Sequence, residues 1–192
     1  MNLQNEVENN LKNVFSDYNS EKFFVDTFAE QLHKLIGLVG ESPVKFVEFY
    51  SEKQPNEMPN MKSYATLYCI DRIIEENTEL APGAYLAKLG IFVFAVTSGG
   101  NVICIDINDM NNGDPTVLLI DQSFCCGEED DIDSEVEIVN LPSYIDEDDY
   151  SDEDFEFNYE NVRKFVYKIE DSFTEFVRKY SLNQYDDLEK KL

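Results

Sequence analysis

The chain is 192 residues long, carries a formal net charge of −25 and has a sequence pI near 4.1. Apolar residues make up 43% of it, with 14 Phe and 11 Tyr, which is typical of a globular chain with one core and argues against global disorder. Because this charge repels phosphate and anionic lipid, we expect neither nucleic acid nor a membrane surface as a partner.

The chain start and the cysteines indicate a cytoplasmic protein. The first ten residues, MNLQNEVENN, lack the cationic start and apolar stretch of a secretory signal, and the run IFVFAV is too short to span a bilayer. The cysteines show no C-x-x-C spacing, so we interpret them as reduced thiols. They are Cys69, Cys104, Cys125 and Cys126.

Apolar residues at steps of three and four predict three helices in the first fifty residues. The first has inward positions at Leu3, Val7, Leu11, Val14 and Tyr18. The second runs from Glu21 to about Gly37, with Phe24, Phe28, Leu32, Leu35 and Ile36 facing inward. The third begins at Ser42 and Pro43, because Ser can cap free amides and Pro is tolerated at the first helical position, and it ends in QPNEMPN.

The middle of the chain predicts an antiparallel sheet. LYCI indicates a short strand and DRIIEENTEL a short helix. IFVFAV and NVICIDI are joined by TSGG, whose glycines suit a tight turn, and they predict a β-hairpin. TVLLID and SEVEIV indicate further strands. Near the C-terminus Phe165 to Tyr180 fit a helix, although RKFVYKI also alternates as a strand before a helix opening near Glu170.

Residue sets for catalysis or metal binding are not indicated by the sequence. His33 is the only histidine and lies between Leu32 and Lys34 in a predicted helix. The cysteine spacing does not favour zinc, DINDMNNGD and DIDSEV lack glycine at the sixth position of an EF-hand loop, and SGGN lacks the lysine and helix of a phosphate-binding loop. We therefore expect no enzyme activity, no cofactor and no dedicated metal site.

A strongly acidic segment precedes the C-terminal helix. No Lys or Arg occurs between Lys88 and Arg163, an interval that holds 20 of the 40 carboxylates, and YIDEDDYSDEDFEF (144–157) has eight carboxylates in fourteen positions. Its interleaved Tyr and Phe are typical anchors of an interface, and the acids would steer a basic partner. The same composition suits a solvated insert whose aromatics cover the core edge, so both interpretations stay open.

The order of the elements resembles that of the SUKH superfamily. The resemblance covers roughly residues 21–180 and rests on SPVKFVEFY, LYCIDRIIEENTEL, APGAYLAKLGIFVFAVTSGGNVICIDIND, PTVLLID and IEDSFTEFV. The more telling features are Pro43 before the third helix, the P-G-x-Y-L-x-x-x-G run from Pro82 to Gly90, the Gly-Gly-Asn that precedes the strand ending at Asp106, and Phe173. The family includes a fungal regulator of cell-wall glucan synthesis and many bacterial immunity proteins.

The resemblance implies an α+β fold: a single domain in which a twisted antiparallel sheet is flanked by helices. We expect an N-terminal helical extension at 1–20, a SUKH-like domain at 21–181 with an acidic insertion at about 127–160, and a C-terminal tail at 182–192. It further implies a non-enzymatic binding module, and for bacterial members an immunity protein that inhibits a cognate toxin by direct binding.

An anionic inhibitor suits a basic toxin such as a nuclease, so the acidic segment is the predicted partner-binding site. Its predicted binding residues are Asp130, Asp131, Asp133, Tyr144, Asp146, Glu147, Asp148, Asp149, Tyr150, Asp152, Glu153, Asp154 and Glu156. The alternatives are a regulatory scaffold resembling the fungal relative and, ranked last, a carboxylate-based hydrolase. The oligomeric state stays open.

Overall fold

Continuous runs of β-branched and aromatic residues in the middle of the chain build the sheet that organises the fold. The computed structural model describes residues 2–122 and 157–192. Strands β1 (Phe24–Asp26) and β2 (Lys53–Pro55) form a small antiparallel pair. Five further strands form a curled antiparallel sheet in chain order: β3 (Ala65–Leu67), β4 (Ile91–Thr97), β5 (Val102–Asn111), β6 (Asp114–Ile120) and β7 (Tyr167–Glu170). The predicted single α+β domain with an antiparallel sheet is confirmed.

Helices surround this sheet. They are α1 (Leu3–Val14), α2 (Ser20–Phe23), α3 (Ala29–Val39), α4 (Val44–Tyr50), α5 (Ile70–Thr78), α6 (Gly83–Lys88), α7 (Tyr159–Val162) and α8 (Phe173–Ser181). Short 3-10 turns lie at Arg163–Phe165 and Leu188–Lys191. The predicted hairpin is β4 and β5, and the strand predicted at TVLLID is β6. The sequence RKFVYKI (163–169) is compatible with a helix or with a strand before the last helix. The structure has a strand there, β7, which begins at Tyr167.

The central strands are buried on both faces, so successive side chains enter two different cores. On β5, Ile103 and Ile105 point into the main core, which α1, α3, α4, α5 and α8 share, whereas Val102 and Cys104 point into the second core. The second core is closed by α6 and by residues 162–165. Both faces of β5 are therefore covered along residues 102–106.

Aromatic rings fill the centre of the main core. Phe173 on α8 makes edge-to-face contacts with Phe46, Phe49 and Phe94, with ring centroids 5.0 to 5.4 Å apart. Such pairs add about 0.5–1.5 kcal/mol each beyond area burial. The buried hydroxyl of Tyr180 donates to the Ala65 carbonyl at 3.1 Å, which satisfies it and joins α8 to β3.

The helix predicted from Glu21 to about Gly37 is wrong in its first half. The helix stops at Phe23, because residues 24–26 pair with residues 53–55 as β1 and β2, and a new helix starts at Ala29. Phe24 and Leu35 are buried as predicted, but Phe28 is 71% exposed.

Smaller differences are local. The strand expected at LYCI ends at Leu67, and Cys69 is the residue before α5. The third helix has Pro43 rather than Ser42 at its N-cap. Val14, expected to face inward, is 38% exposed at the end of α1. The strand predicted at SEVEIV lies outside the described residues.

Both chain ends pack onto the domain. Val7 and Leu11 of α1 are fully buried in the main core, and Glu6 binds Arg178 of α8 through two contacts of 2.9 and 3.1 Å. At the other end Leu188 is 2% exposed. The boundaries expected at residues 20 and 181 stay predictions.

Candidate functional site

The thirteen residues predicted to bind a partner all lie between residues 123 and 156, outside the described residues. This interval holds 15 of the 40 carboxylates and no cation. The structure describes the two flanks that join it to the domain, which end at Gln122 and begin at Phe157. The part of the predicted partner-binding site that the structure describes is therefore these two flanks.

The outgoing flank is bound to the turn between β4 and β5. The backbone N–H of Gln122 donates to Asn101 Oδ1 at 3.2 Å, and its side-chain amide donates to the Gly99 carbonyl at 3.0 Å. The same turn holds the carboxylate of Glu189, which accepts from the Gly99 N–H at 2.8 Å and from Asn101 Nδ2 at 2.7 Å. A Cβ at Gly99 would lie 2.6 Å from that carboxylate, so any other residue there would displace the Glu189 side chain from this position.

The returning flank is bound to β5 through a polar group that we call the Asp106 cluster, defined by Asp106, Asn108, Asp109, Tyr159 and Arg163. The Tyr159 hydroxyl donates to Asp106 Oδ2 at 2.9 Å. The Arg163 guanidinium lies 3.5 Å from Asp106 and 3.0 Å from Asp109. Hence Tyr159 and Arg163 fix the end of the acidic segment to β5, the central strand, through partners that lie 53 and 54 positions earlier in the chain.

Asp106 needs this cluster because its side chain is fully buried. Burying an unpaired carboxylate is strongly unfavourable, whereas a cation and several donors compensate it. The backbone N–H of Asn108 also donates to Asp106, at 3.0 Å, where β5 shifts register between Asp106 and Met110. Burial, and then the bond to Asp106, raise the pKa of Tyr159 to about 12, so its hydroxyl stays a donor at neutral pH.

The sequence did not predict the Asp106 cluster. Its one signal was an aspartate that ends an otherwise apolar strand, since such a residue must find partners when both faces of the sheet are covered. The partners Tyr159 and Arg163 lie on the far side of the acidic segment, and no local pattern connects them to β5. The structure thus adds two anchoring residues that the sequence analysis did not single out.

The described residues are themselves acidic, with 25 of the 40 carboxylates and all 15 cations, a formal charge of −10. Ten of these cations form ion pairs within the described part of the chain: Lys22, Lys34, Lys45, Lys53, Arg72, Arg163, Lys168, Arg178, Lys179 and Lys190. Most of the positive charge is therefore already compensated, and the surface field is negative.

The chemical groups considered for catalysis are scattered. His33 is exposed on α3, and among the described residues neither Cys69 nor Cys104 is part of a disulfide. Within residues 2–122 and 157–192 no three His, Cys, Asp or Glu side chains come together as metal ligands. A cavity of about 440 Å³ between α1, α4 and α8 is lined by charged groups already paired with each other, such as Arg178 with Glu6 and Lys45 with Glu48.

No known family model, curated protein or solved structure matches the chain. Over the described ranges, none of the helices has the length and apolar character to cross a membrane.

Proposed function

We propose that the chain is a non-enzymatic binding protein of SUKH type, an immunity protein that inhibits a basic cognate toxin by direct contact. The observation that carries this proposal is the anchoring of the acidic segment at both flanks, by the β4–β5 turn at Gln122 and by the Asp106 cluster at Tyr159. The resemblance of the motifs to the family supports the choice of immunity over other binding roles.

Anchoring matters because it fixes the two points on the domain at which the charged segment begins and ends. A segment attached at one end only would lose more conformational freedom on binding. The carboxylates from Asp130 to Glu156 would steer a cationic toxin surface toward the domain and compete there with phosphate. For a nuclease toxin, this competition excludes the nucleic-acid substrate from the cationic groove.

Co-expression with the product of the adjacent gene tests this function. We expect that product to retain this chain when only the product is tagged, and we expect cells to grow only when both are present. Increasing salt should weaken the complex because charge pairs are screened. If neither co-purification nor rescue occurs and many cellular proteins bind instead, the regulatory-scaffold function replaces this one.

A matched pair of variants tests the site. The first neutralises four predicted binding residues together, Asp146→Asn, Glu147→Gln, Asp148→Asn and Asp149→Asn. The second makes the same change in net charge elsewhere on the described surface, at exposed positions Asp17→Asn, Glu41→Gln, Glu79→Gln and Asp186→Asn. We expect the first to weaken the complex and to reduce its salt dependence more than the second. Equal effects would show that only the total charge matters.

A further inference from the structure

Phe28 occupies a position where an aromatic residue contributes little to the fold. It is the N-cap residue of α3, and its side chain is 71% exposed. N-caps favour Ser, Thr, Asp and Asn, whose side chains accept from the free amides of the first turn, and a phenyl ring cannot do so. Gln31 satisfies the Phe28 backbone N–H instead, at 3.2 Å. The ring is therefore neither buried nor a cap.

A second exposed apolar residue borders the same polar network. Val25 on β1 is 37% exposed and is the register partner of Gln54 on β2. The Gln54 amide donates to Gln31 Oε1 at 2.8 Å, the same oxygen that accepts from the Phe28 N–H. Val25 and Phe28 are thus linked through one hydrogen-bonded pair of glutamines, Val25 by strand register with Gln54 and Phe28 by its backbone N–H to Gln31.

Three carboxylates belong to the elements that carry these two side chains or to α5, which Gln31 contacts. Asp71 at the start of α5 accepts from Gln31 Nε2 at 2.8 Å. Asp26 is exposed and adjacent to Val25, and Glu30 is exposed on the first turn of α3, where it pairs with Lys34 at 2.9 Å. We call this surface the α3 rim and define it by Val25, Asp26, Phe28, Glu30, Gln31 and Asp71.

We propose that the α3 rim is a docking surface for a basic protein, which inserts an apolar side chain beside Phe28 and places Lys or Arg near Asp26 and Asp71. This inference rests on the proposed function and names a second contact surface for the same toxin. An exposed aromatic ring on a rigid backbone is typical of an interface anchor. Acids around it supply electrostatic complementarity to a cationic partner.

The net charge of the chain favours a basic protein, rather than a second copy of the chain, as the partner of the α3 rim. Two copies would each carry −25, and the rim itself holds three carboxylates and one neighbouring Lys34. Self-association through the rim would bring like charges together, which is unfavourable. A basic partner gains from the same field, because the rim's acids and the overall charge attract it.

The α3 rim can be altered by substitution without changing the acidic segment or its anchors. Helix α3 packs through Leu35 and Val39 into the main core, whereas Tyr159 and Val162 on the returning flank pack in the second core on the other face of the sheet. Phe28→Ser replaces an exposed ring by a residue that favours the N-cap position. This substitution is therefore expected to leave the melting temperature unchanged or to raise it by about 2–4 °C.

Binding of the full chain to the purified product of the adjacent gene is the measurement. We expect Phe28→Ser to raise Kd about thirtyfold, as loss of an interface anchor does. The control is Tyr64→Ser, which removes another exposed aromatic side chain. Tyr64 is 57% exposed and directly precedes β3, outside the α3 rim. We expect the control to leave Kd unchanged. Asp26→Asn should slow association at low salt with little effect on dissociation.

The outcomes separate this inference from the proposed function. A wild-type complex that Phe28→Ser and Asp26→Asn do not weaken would overturn the α3 rim and leave the proposed function standing. Failure of the wild-type chain to bind the adjacent gene's product would overturn both. A dimer of the free chain in sedimentation that Phe28→Ser dissolves would assign the rim to self-association and would also overturn the proposal.

Discussion

The side chain of Asn77 takes the place of a strand partner for Val93. Its Oδ1 accepts from the Val93 N–H at 2.8 Å, and its Nδ2 donates to the Val93 carbonyl at 2.8 Å and to the Ile73 carbonyl at 2.7 Å. The site lies where the pairing of β4 with β5 shifts register between Val93 and Ala95. One buried amide on α5 thereby completes the hydrogen bonding of an irregular strand.

Replacing Asn77 by Ala should therefore destabilise the domain strongly. The change leaves a buried N–H and a buried carbonyl of Val93 without their side-chain partner, and we expect a loss of about 3 kcal/mol in unfolding free energy. Urea denaturation measures it. Thr78→Ala is the control, because the neighbouring Thr78 is exposed and makes one local bond to the Ile74 carbonyl. A loss for Asn77→Ala no larger than for Thr78→Ala would contradict the account.

Tyr159→Phe tests the anchor of the returning flank. The variant removes the donor to fully buried Asp106 and keeps the ring, so we expect a loss of about 1–3 kcal/mol in unfolding free energy. Amide hydrogen exchange should also become faster at residues 159–162 than in the wild-type chain. The same deletion of a hydroxyl in the exposed Tyr64, as Tyr64→Phe, should have little effect. Unchanged exchange after Tyr159→Phe would show that the bond is not what holds the flank.

Two glycines near the end of α3 should respond in opposite directions to the same substitution. Gly37 lies within the helix and a Cβ there meets no described atom within 4 Å, so Gly37→Ala should stabilise the domain by about 0.5–1 kcal/mol. Gly40 has φ 78° at the end of α3, where a side chain is strained, so Gly40→Ala should destabilise it by about 1–3 kcal/mol. The measurement is the thermal unfolding of both variants compared with the wild type. A change in stability of the same sign for both variants would contradict this prediction.

Glu76 should make the stability of the domain depend on pH in a defined direction. Burial raises the pKa of Glu76 above its usual value of 4.5, and the opposing effect of Arg72, with Nη2 2.9 Å from Oε2, does not cancel it. The folded state therefore keeps this proton to a higher pH than the unfolded state. Its stabilising contribution is present below the unfolded-state pKa and is lost as the pH rises through the folded-state pKa.

The measurement compares wild type with Glu76→Gln across this pH range. The unfolding free energy of the wild type minus that of the variant should fall as the pH rises above 4.5. Glu75→Gln is the control for disturbing Arg72, since Glu75 is its other partner, at 2.7 Å. A difference that rises with pH would mean that the ion pair outweighs burial.

Sequence reasoning succeeded where the signal was local. The β4–β5 hairpin follows from two runs of β-branched and aromatic residues joined by a Gly-Gly turn, and α5 follows from Ile73 and Asn77 at helical spacing, which the structure buries together. The class of fold follows from the same elements. These patterns are decided by residues within a few positions of each other.

It failed where the deciding partner is distant along the chain. Phe24 fits the apolar face of the predicted helix, but residues 24–26 become a strand because residues 53–55 offer backbone partners. Asp106 likewise finds Tyr159 and Arg163 only across the acidic segment. The α3 rim could not be predicted either, because the apolar periodicity that placed Phe28 in a longer helix also assigned it to the buried face.

The position of Phe173 at the centre of the aromatic core also makes closure of that core a long-range event in folding. Phe173 and Phe176 on α8 both contact rings from the first hundred residues of the sequence. Contacts between such distant parts of a chain form late because a large loop must close first. Until α8 docks, the apolar side chains of β4, β5 and β6 that face the main core lack their cover, and such surfaces favour aggregation.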